Sequence, residues 1–417
     1  SAWMHQHADA VSTCSYTRGM GHDPADKRFP FFSQLDDSPR SSWGVPWFEQ
    51  STALNKPHFV YETMIANTTK YRAEYPYRVA ALAAIQGWDI VCWHTYPGRD
   101  VWADDPEADW PDEIVYGFDY FTIKGDEVMI SALRGASEIF RQGLVPPAAD
   151  PVLFTFGAES LYDPVGMDYG KGYGRFEDRF IGTSYRYGTR VHIDPAAPGD
   201  SATSIGADPL TAPERHTVRP NVFESCPTCP HQHIRYDWSR GNLVMDAPGV
   251  ASFTGFFGEY GSEVIDFANG VRFDQITVHN EDGIAYPVTL DERYVAITLA
   301  ARDGAALADS RALLLSAVST GFNRGFELDV TQSNQGRQTD GPKPCPPMEH
   351  WGAWMANAGT GPAVLARVGV RVVAAAIEGM RYVMRDFQGR ALTDGVVGAD
   401  GLTIPAQAKV CWVELTR

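Results

Sequence analysis

The residues best suited to chemistry lie in Lys56-Pro57-His58-Phe59-Val60-Tyr61-Glu62-Thr63. His58 to Tyr61 reads as a short extended run, introduced by Pro57, with Glu62 at its end. A carboxylate at the C-terminal end of a buried parallel strand is partly desolvated and its pKa is tuned by neighbouring charges. Barrel enzymes place their reacting groups there. The competing reading pairs Glu62 with an arginine such as Arg72 and gives it only a loop-organising role. Upstream, His5, His7 and Asp9 precede a strand-like Ala10-Val11-Ser12-Thr13, with Ser15 and Tyr16 at its top. Trp43 and Trp47 fall in the long segment before Glu62, where an indole either stacks on a ring-shaped ligand or packs a loop.

Two groupings raise the question of metal. Cys226-Pro227-Thr228-Cys229-Pro230-His231-Gln232-His233 offers Cys226, Cys229, His231 and His233 within one short stretch. A Cys-x-x-Cys pair suits one corner of a tetrahedral zinc site. His231 and His233 follow so closely that one ion would strain to use all four. A Cys226–Cys229 disulfide or plain loop residues fit better, and these four stay weak ligand candidates. The acidic run from Trp102 through Asp104, Asp105, Glu107, Asp109, Trp110 and Asp112 to Glu113 carries the oxygen ligands calcium takes. Its spacing is not that of an EF-hand, and it reads as a solvated acidic loop. We expect no cofactor. No phosphate-binding glycine loop and no Gly-x-Ser-x-Gly is present, so nucleotide chemistry and a serine nucleophile have no anchor.

The elements that must position Glu62 follow from periodicity. After Asn67-Thr68-Thr69, residues Tyr71, Tyr75, Val79, Leu82, Ala83 and Gln86 recur at helical spacing and Gly87 ends the helix. Trp88 to His94 is a continuous apolar run of strand length, as for a parallel strand buried on both faces. Glu127 to Gln142 predicts a second helix, with Met129, Leu133, Ala136 and Phe140 on one stripe and Gly143 closing it. Strand, helix, strand, helix indicates parallel β/α architecture through residue 147. Beyond Leu144-Val145-Pro146-Pro147 the texture becomes short alternating runs between turn residues, such as Arg272 to Val278, Tyr294 to Leu299 and Val364 to Ile377. That pattern predicts β-sandwich packing over 148–417, with an irregular excursion near 195–235.

Composition narrows the partners. Of 417 residues, 44% are hydrophobic and 21% charged, as in ordinary globular chains. A formal charge of −17 repels phosphate backbones and anionic lipid, so neither nucleic acid nor a membrane surface is an expected partner. No apolar run reaches the ~18 residues of a spanning helix. The start of the chain shows no signal-peptide pattern. Of the six cysteines, Cys92 reads as an inert core thiol. The other five allow a disulfide or two, which would require an oxidising compartment; we expect a secreted or periplasmic location.

Taken together, "KPHFVYETM" (56–64), "YRAEYPYRVAALAAIQ" (71–86) and "GWDIVCWHTY" (87–96) resemble the end of the catalytic barrel in clan-A glycoside hydrolases, in the β-galactosidase-like and agarase-like branch. The likeness is strong over residues 50–145. It is looser over the β region, where "FTGFFG", "RALLLSAVSTGFNRG" and "EHWGAW" are similar to segments after such barrels. The resemblance implies the C-terminal portion of a (β/α)8 barrel followed by an antiparallel β-sandwich domain. It implies a retaining hydrolase of a galactoside or related polysaccharide, with Glu62 as nucleophile. His94 and Tyr96 would line the sugar subsite; Trp93 either joins them or, by alternation along its strand, packs in the core, and Trp43, Trp47 and Tyr16 are further substrate-binding candidates. The family's acid/base follows an Asn on an earlier strand, and no Asn-Glu pair precedes Glu62 here. That group is therefore expected from outside this chain, through a second chain completing the barrel or a homo-oligomer. The other outcome is an inactive carbohydrate-binding protein.

Overall fold

Extended runs form where β-branched and aromatic residues alternate, and the computed structural model resolves the chain accordingly into strands with two α-helices among its described residues. The structure describes residues 7–17, 32–33, 48, 52–65, 67, 69–94, 122–149, 151–158, 184–185, 187–199, 201–202, 233–237, 242–258, 264–280, 293–329, 353–357 and 359–417. The first elements are β1 (Val11–Thr17), β2 (Phe32–Ser33), β3 (His58–Ile65), α1 (Glu74–Gln86), β4 (Ile90–Trp93) and α2 (Glu127–Arg141). Next come β5 (Val152–Phe156), β6 (Thr189–Ile193), β7 (Ser201–Ala202), β8 (Ile234–Asp237), β9 (Asn242–Ala247) and β10 (Val250–Phe256). Then follow β11 (Ile265–Asp266), β12 (Arg272–Asn280), β13 (Tyr294–Ala301), β14 (Ala312–Val318), β15 (Gly321–Arg324) and β16 (Glu327–Asp329). The last are β17 (Ala353–Asn357), β18 (Thr360–Val373), β19 (Arg381–Arg385), β20 (Ala391–Val396), β21 (Leu402–Ile404) and β22 (Trp412–Thr416).

β1, β3 and β4 form a parallel sheet in sequence order. α1 meets it through Tyr75, which touches Thr63 and Trp93, and α1 and α2 pack together against an antiparallel sheet of order β20-β19-β22-β14-β13-β10-β9-β8. A second antiparallel sheet runs β11-β12-β18-β15, with β21 also on β18. β16, β17 and β2 pair antiparallel, while β5 runs parallel to β6 and antiparallel to β7. The fold is thus mostly β, and after α2 the pairing is antiparallel except for β5 with β6. One hydrophobic cluster joins Val60 of β3, Leu82 of α1, Ile139 of α2, Ile297 of β13 and Val370 of β18.

The helix boundaries follow local chemistry. Pro76 is tolerated because it stands in the first turn of α1, where no intrahelical N–H is required. Gly87 closes α1 at φ 63°, a left-handed conformation that costs glycine little. Every residue of α1 is buried, so the one-sided stripe read from its sequence is corrected: the helix is covered all round by its neighbours. α2 begins at Asp126, whose carboxylate accepts from the Val128 and Met129 N–H groups. Gly135 lets the helices approach, since a Cβ there would meet the Tyr77 hydroxyl at 2.5 Å. α2 is fixed to the large sheet by the Ser316 hydroxyl on the Ser131 carbonyl at 2.7 Å and by Arg134, 3.7 Å over the Trp412 ring.

β4 corrects the sequence reading too. It is shorter than Trp88–His94, and it is not buried on both faces: Ile90 is 47% exposed and Cys92 is exposed, not a core thiol. Its other two residues, Val91 and Trp93, pack toward the helices.

Arg72 and Asp126 are wholly buried and form a two-pronged pair at 2.7 and 3.0 Å. Arg72 also donates to the Thr69 and Gly321 carbonyls, while Asp126 caps α2. Removing one partner leaves the other charge buried and uncompensated, at a cost of about 3–5 kcal/mol. We predict that Arg72→Met lowers the unfolding free energy by that amount in urea titration. Asp126→Ala should cost about 1 kcal/mol more, because the helix cap is lost as well. A loss below about 1 kcal/mol, typical of an exposed pair, would contradict this role.

Candidate active site

Glu62 owes its direction to an irregularity in β3. The register runs Thr13–Val60 and then Cys14–Glu62 against β1, and Val60–Val91 and then Thr63–Trp93 against β4. Between Val60 and Thr63, β3 therefore carries one residue more than each neighbour, a bulge that both flanking strands must accommodate. Residues paired across a sheet share a face. Strict alternation would send Glu62 the way of Val60, into the helices. The bulge instead turns it to the opposite side with Cys14, and sends Thr63 to the helix side, where its hydroxyl meets the Tyr75 hydroxyl at 2.7 Å. β3 also continues through Ile65, so Glu62 lies within the strand, not at its end as the sequence predicts.

The Glu62 carboxylate is 36% exposed and His94 Nδ1 lies 3.4 Å from it. Tyr16, from the end of β1, donates its phenol to Glu62. The Tyr16 and His94 rings meet edge-on with centroids 5.9 Å apart. Burial first, and then the bond to the Glu62 carboxylate, hold the Tyr16 phenol well above the usual tyrosine range. Tyr16 is therefore a fixed donor to Glu62 and not an activated oxygen nucleophile. Tyr61, beside Glu62 in the bulge, donates to the Cys14 sulfur at 3.0 Å. The arginine alternative for Glu62 does not hold with Arg72, which is committed to Asp126.

The motif around Gly87 serves as scaffold. The Gln86 side chain accepts from the Thr189 N–H and donates to the Thr189 hydroxyl, both at 2.7 Å. The Trp88 indole donates to the Thr52 hydroxyl at 3.1 Å and stacks on His58 at 5.0 Å. Asp89 accepts from the His58 N–H at 2.9 Å. Together they pin the start of β3 and the approach to β4, and so set where Glu62 and His94 arrive.

Of the residues singled out in the sequence, the fold brings Glu62, His94 and Tyr16 together. Trp93 is corrected: its ring lies edge-on to Tyr75, centroids 6.0 Å apart, on the helix side of the sheet away from Glu62. Trp43, Trp47 and Tyr96 lie outside the described residues, as do Cys226, Cys229, His231 and the acidic run 102–113. His233 is described, and its Nδ1 faces the Asp246 carbonyl at 3.0 Å. Among the described residues no group of three or more His, Cys, Asp or Glu side chains is placed to hold a metal ion. No helix among them is long and apolar enough to cross a membrane. Sequence reading missed Tyr61 and Cys14 as neighbours of Glu62, because a bulge leaves no signature in an alternation pattern.

A phenol whose pKa is raised in the folded state contributes stability that is whole below the unfolded tyrosine value of about 10. That contribution is lost as pH climbs through the folded value. We predict that stability falls more steeply above about pH 10 in the native protein than in Tyr16→Phe, with the other buried phenols Tyr77 and Tyr294 common to both. Equal slopes in denaturant titrations across that range would show that Tyr16 is not so held. No protein-family model, no curated protein and no solved structure matches this chain.

Proposed function

We propose that the protein is a glycoside hydrolase acting on a galactoside or related polysaccharide with retention, and that Glu62 is its nucleophile. The observation that carries this reading is a half-exposed carboxylate on the open side of a parallel sheet, held by the Tyr16 phenol and flanked by the His94 imidazole. Such a site can direct one carboxylate oxygen at an anomeric carbon. Donation from Tyr16 fixes the carboxylate rotamer and leaves an oxygen for attack. The glycosyl–Glu62 ester formed as the leaving oxygen takes a proton would then be hydrolysed by water. Support for a barrel portion over residues 1–147 comes from three parallel strands paired in chain order, with helices following β3 and β4. The two antiparallel sheets beyond α2 support a β-sandwich.

Retention requires a second carboxyl group about 5–5.5 Å from the first. Among the described residues the partners of Glu62 are a phenol and an imidazole, with no carboxylate. We therefore propose that the acid/base comes from outside this chain, on a second polypeptide or a second copy, acting outside the cell or in the periplasm. The same observation favours, as a second reading, a carbohydrate-binding protein without turnover.

Glu62→Gln should reduce turnover of an aryl β-galactoside about a thousandfold or more, since the glycosyl ester can no longer form. Near-normal activity in that variant would exclude Glu62 as nucleophile. Light scattering of the native particle should give a mass above the 45.9 kDa of one chain. A monomer that hydrolyses the substrate would rule out an acid/base supplied in trans, and a monomer that only binds sugar would establish the second reading.

A further inference from the structure

We propose that Tyr61 is a substrate-contacting platform on which the apolar C–H face of a neutral pyranose stacks beside Glu62; this rests on the hydrolase reading above. The bulge in β3 places two consecutive side chains, Tyr61 and Glu62, on the same open side of the sheet. Tyr61 is 50% exposed, whereas Val60, Thr63 and Met64 in the same strand are fully buried. An aromatic ring left half in water costs solvation unless something covers it, and a half-covered ring beside a carboxylate matches a sugar, apolar on one face and hydroxylated at its edges. The Tyr61 hydroxyl is tied to the Cys14 sulfur at 3.0 Å, and Cys14 is the register partner of Glu62. The end of the phenol is thus anchored from the neighbouring strand before any ligand arrives, so less side-chain freedom is lost on binding. The platform and the reacting carboxylate hold a constant separation because one bulge sets both. Nothing about this contact needs a negatively charged sugar, and the Glu62 carboxylate disfavours one.

The test is calorimetric titration of β-1,4-galactotetraose into Glu62→Gln, which cannot turn it over, and into the same protein carrying Tyr61→Ala, Tyr61→Leu or Tyr61→Phe. Far-UV circular dichroism of each variant reports the fold. Loss of the ring in the Ala and Leu variants should weaken binding about tenfold, while Phe, which keeps the ring and loses only the Cys14 tie, should stay within about threefold. Ala and Leu variants that bind as tightly as the Glu62→Gln parent would overturn the platform and leave the hydrolase reading standing. A Phe variant as weak as Ala would also overturn it, since the hydroxyl and not the ring face would then be the contact. If Glu62→Gln fails to bind and the native protein fails to hydrolyse the tetraose, the hydrolase reading falls and the platform falls with it.

Discussion

The pairing of Arg72 with Asp126 is the constraint on which the arrangement of the molecule depends. Both side chains are removed from water, and each satisfies more than the other: Arg72 reaches the Gly321 carbonyl at the start of β15, and Asp126 caps α2. One charge pair thus joins the segment after β3, the start of the helix packed on the large sheet, and the edge of the second antiparallel sheet. Thr320 adds a hydroxyl on the Lys70 carbonyl, and Tyr294 places its phenol on the Tyr71 carbonyl. The residues immediately before α1 are held by β-strands some two hundred positions away, at separations of 223 to 250. Buried charge is tolerated there because nearly every polar valence is met by backbone or counter-charge.

The two helices pack on each other, and α1 links the parallel sheet to the large antiparallel one. α1 is buried throughout, and α2 gives its apolar side to α1 and the large sheet while carrying Arg134 on its exposed side. Two further pairs, the largely buried Glu127 with Arg367 at 2.6 Å and Glu138 with Arg302 at 3.3 Å, join α2 to β18 and to the turn after β13. Cys411 donates to the same Glu127 at 2.7 Å, and burial holds that thiol well above its usual range, so it serves as a structural donor and not a nucleophile. On the side of the parallel sheet away from the helices, Glu62, Tyr61, Ile90 and Cys92 reach solvent.

The site inherits its geometry from this packing. A carboxylate on a regular β3 would have pointed into α1, where it would be desolvated and useless. The extra residue at the bulge reverses that, at the cost of one irregular step in two ladders. Tyr16 and His94 then meet Glu62 because β1 and β4 flank β3 and deliver those residues at the level of the bulge. The hydrogen bonds made by Gln86, Trp88 and Asp89 hold the level constant.

Local features were legible in the sequence: α1 ending at Gly87, α2 spanning the predicted stretch after Asp126, the strand around Glu62 and the change to short β runs after residue 147. Each is encoded within a few residues, by a glycine that tolerates positive φ, a capping carboxylate, or an apolar period. The remaining features came from long-range packing. The face of Trp93 depends on the register of β4 against a bulged neighbour. The exposure of Cys92 depends on what covers the other side of the sheet. Arg72 chose Asp126 over Glu62 because α2 brings that carboxylate to it. The order of the eight-stranded sheet, with β22 between β19 and β14, pairs residues about a hundred positions apart. Such choices are settled by which surfaces exclude water together, and that is a property of the whole chain, not of any window within it.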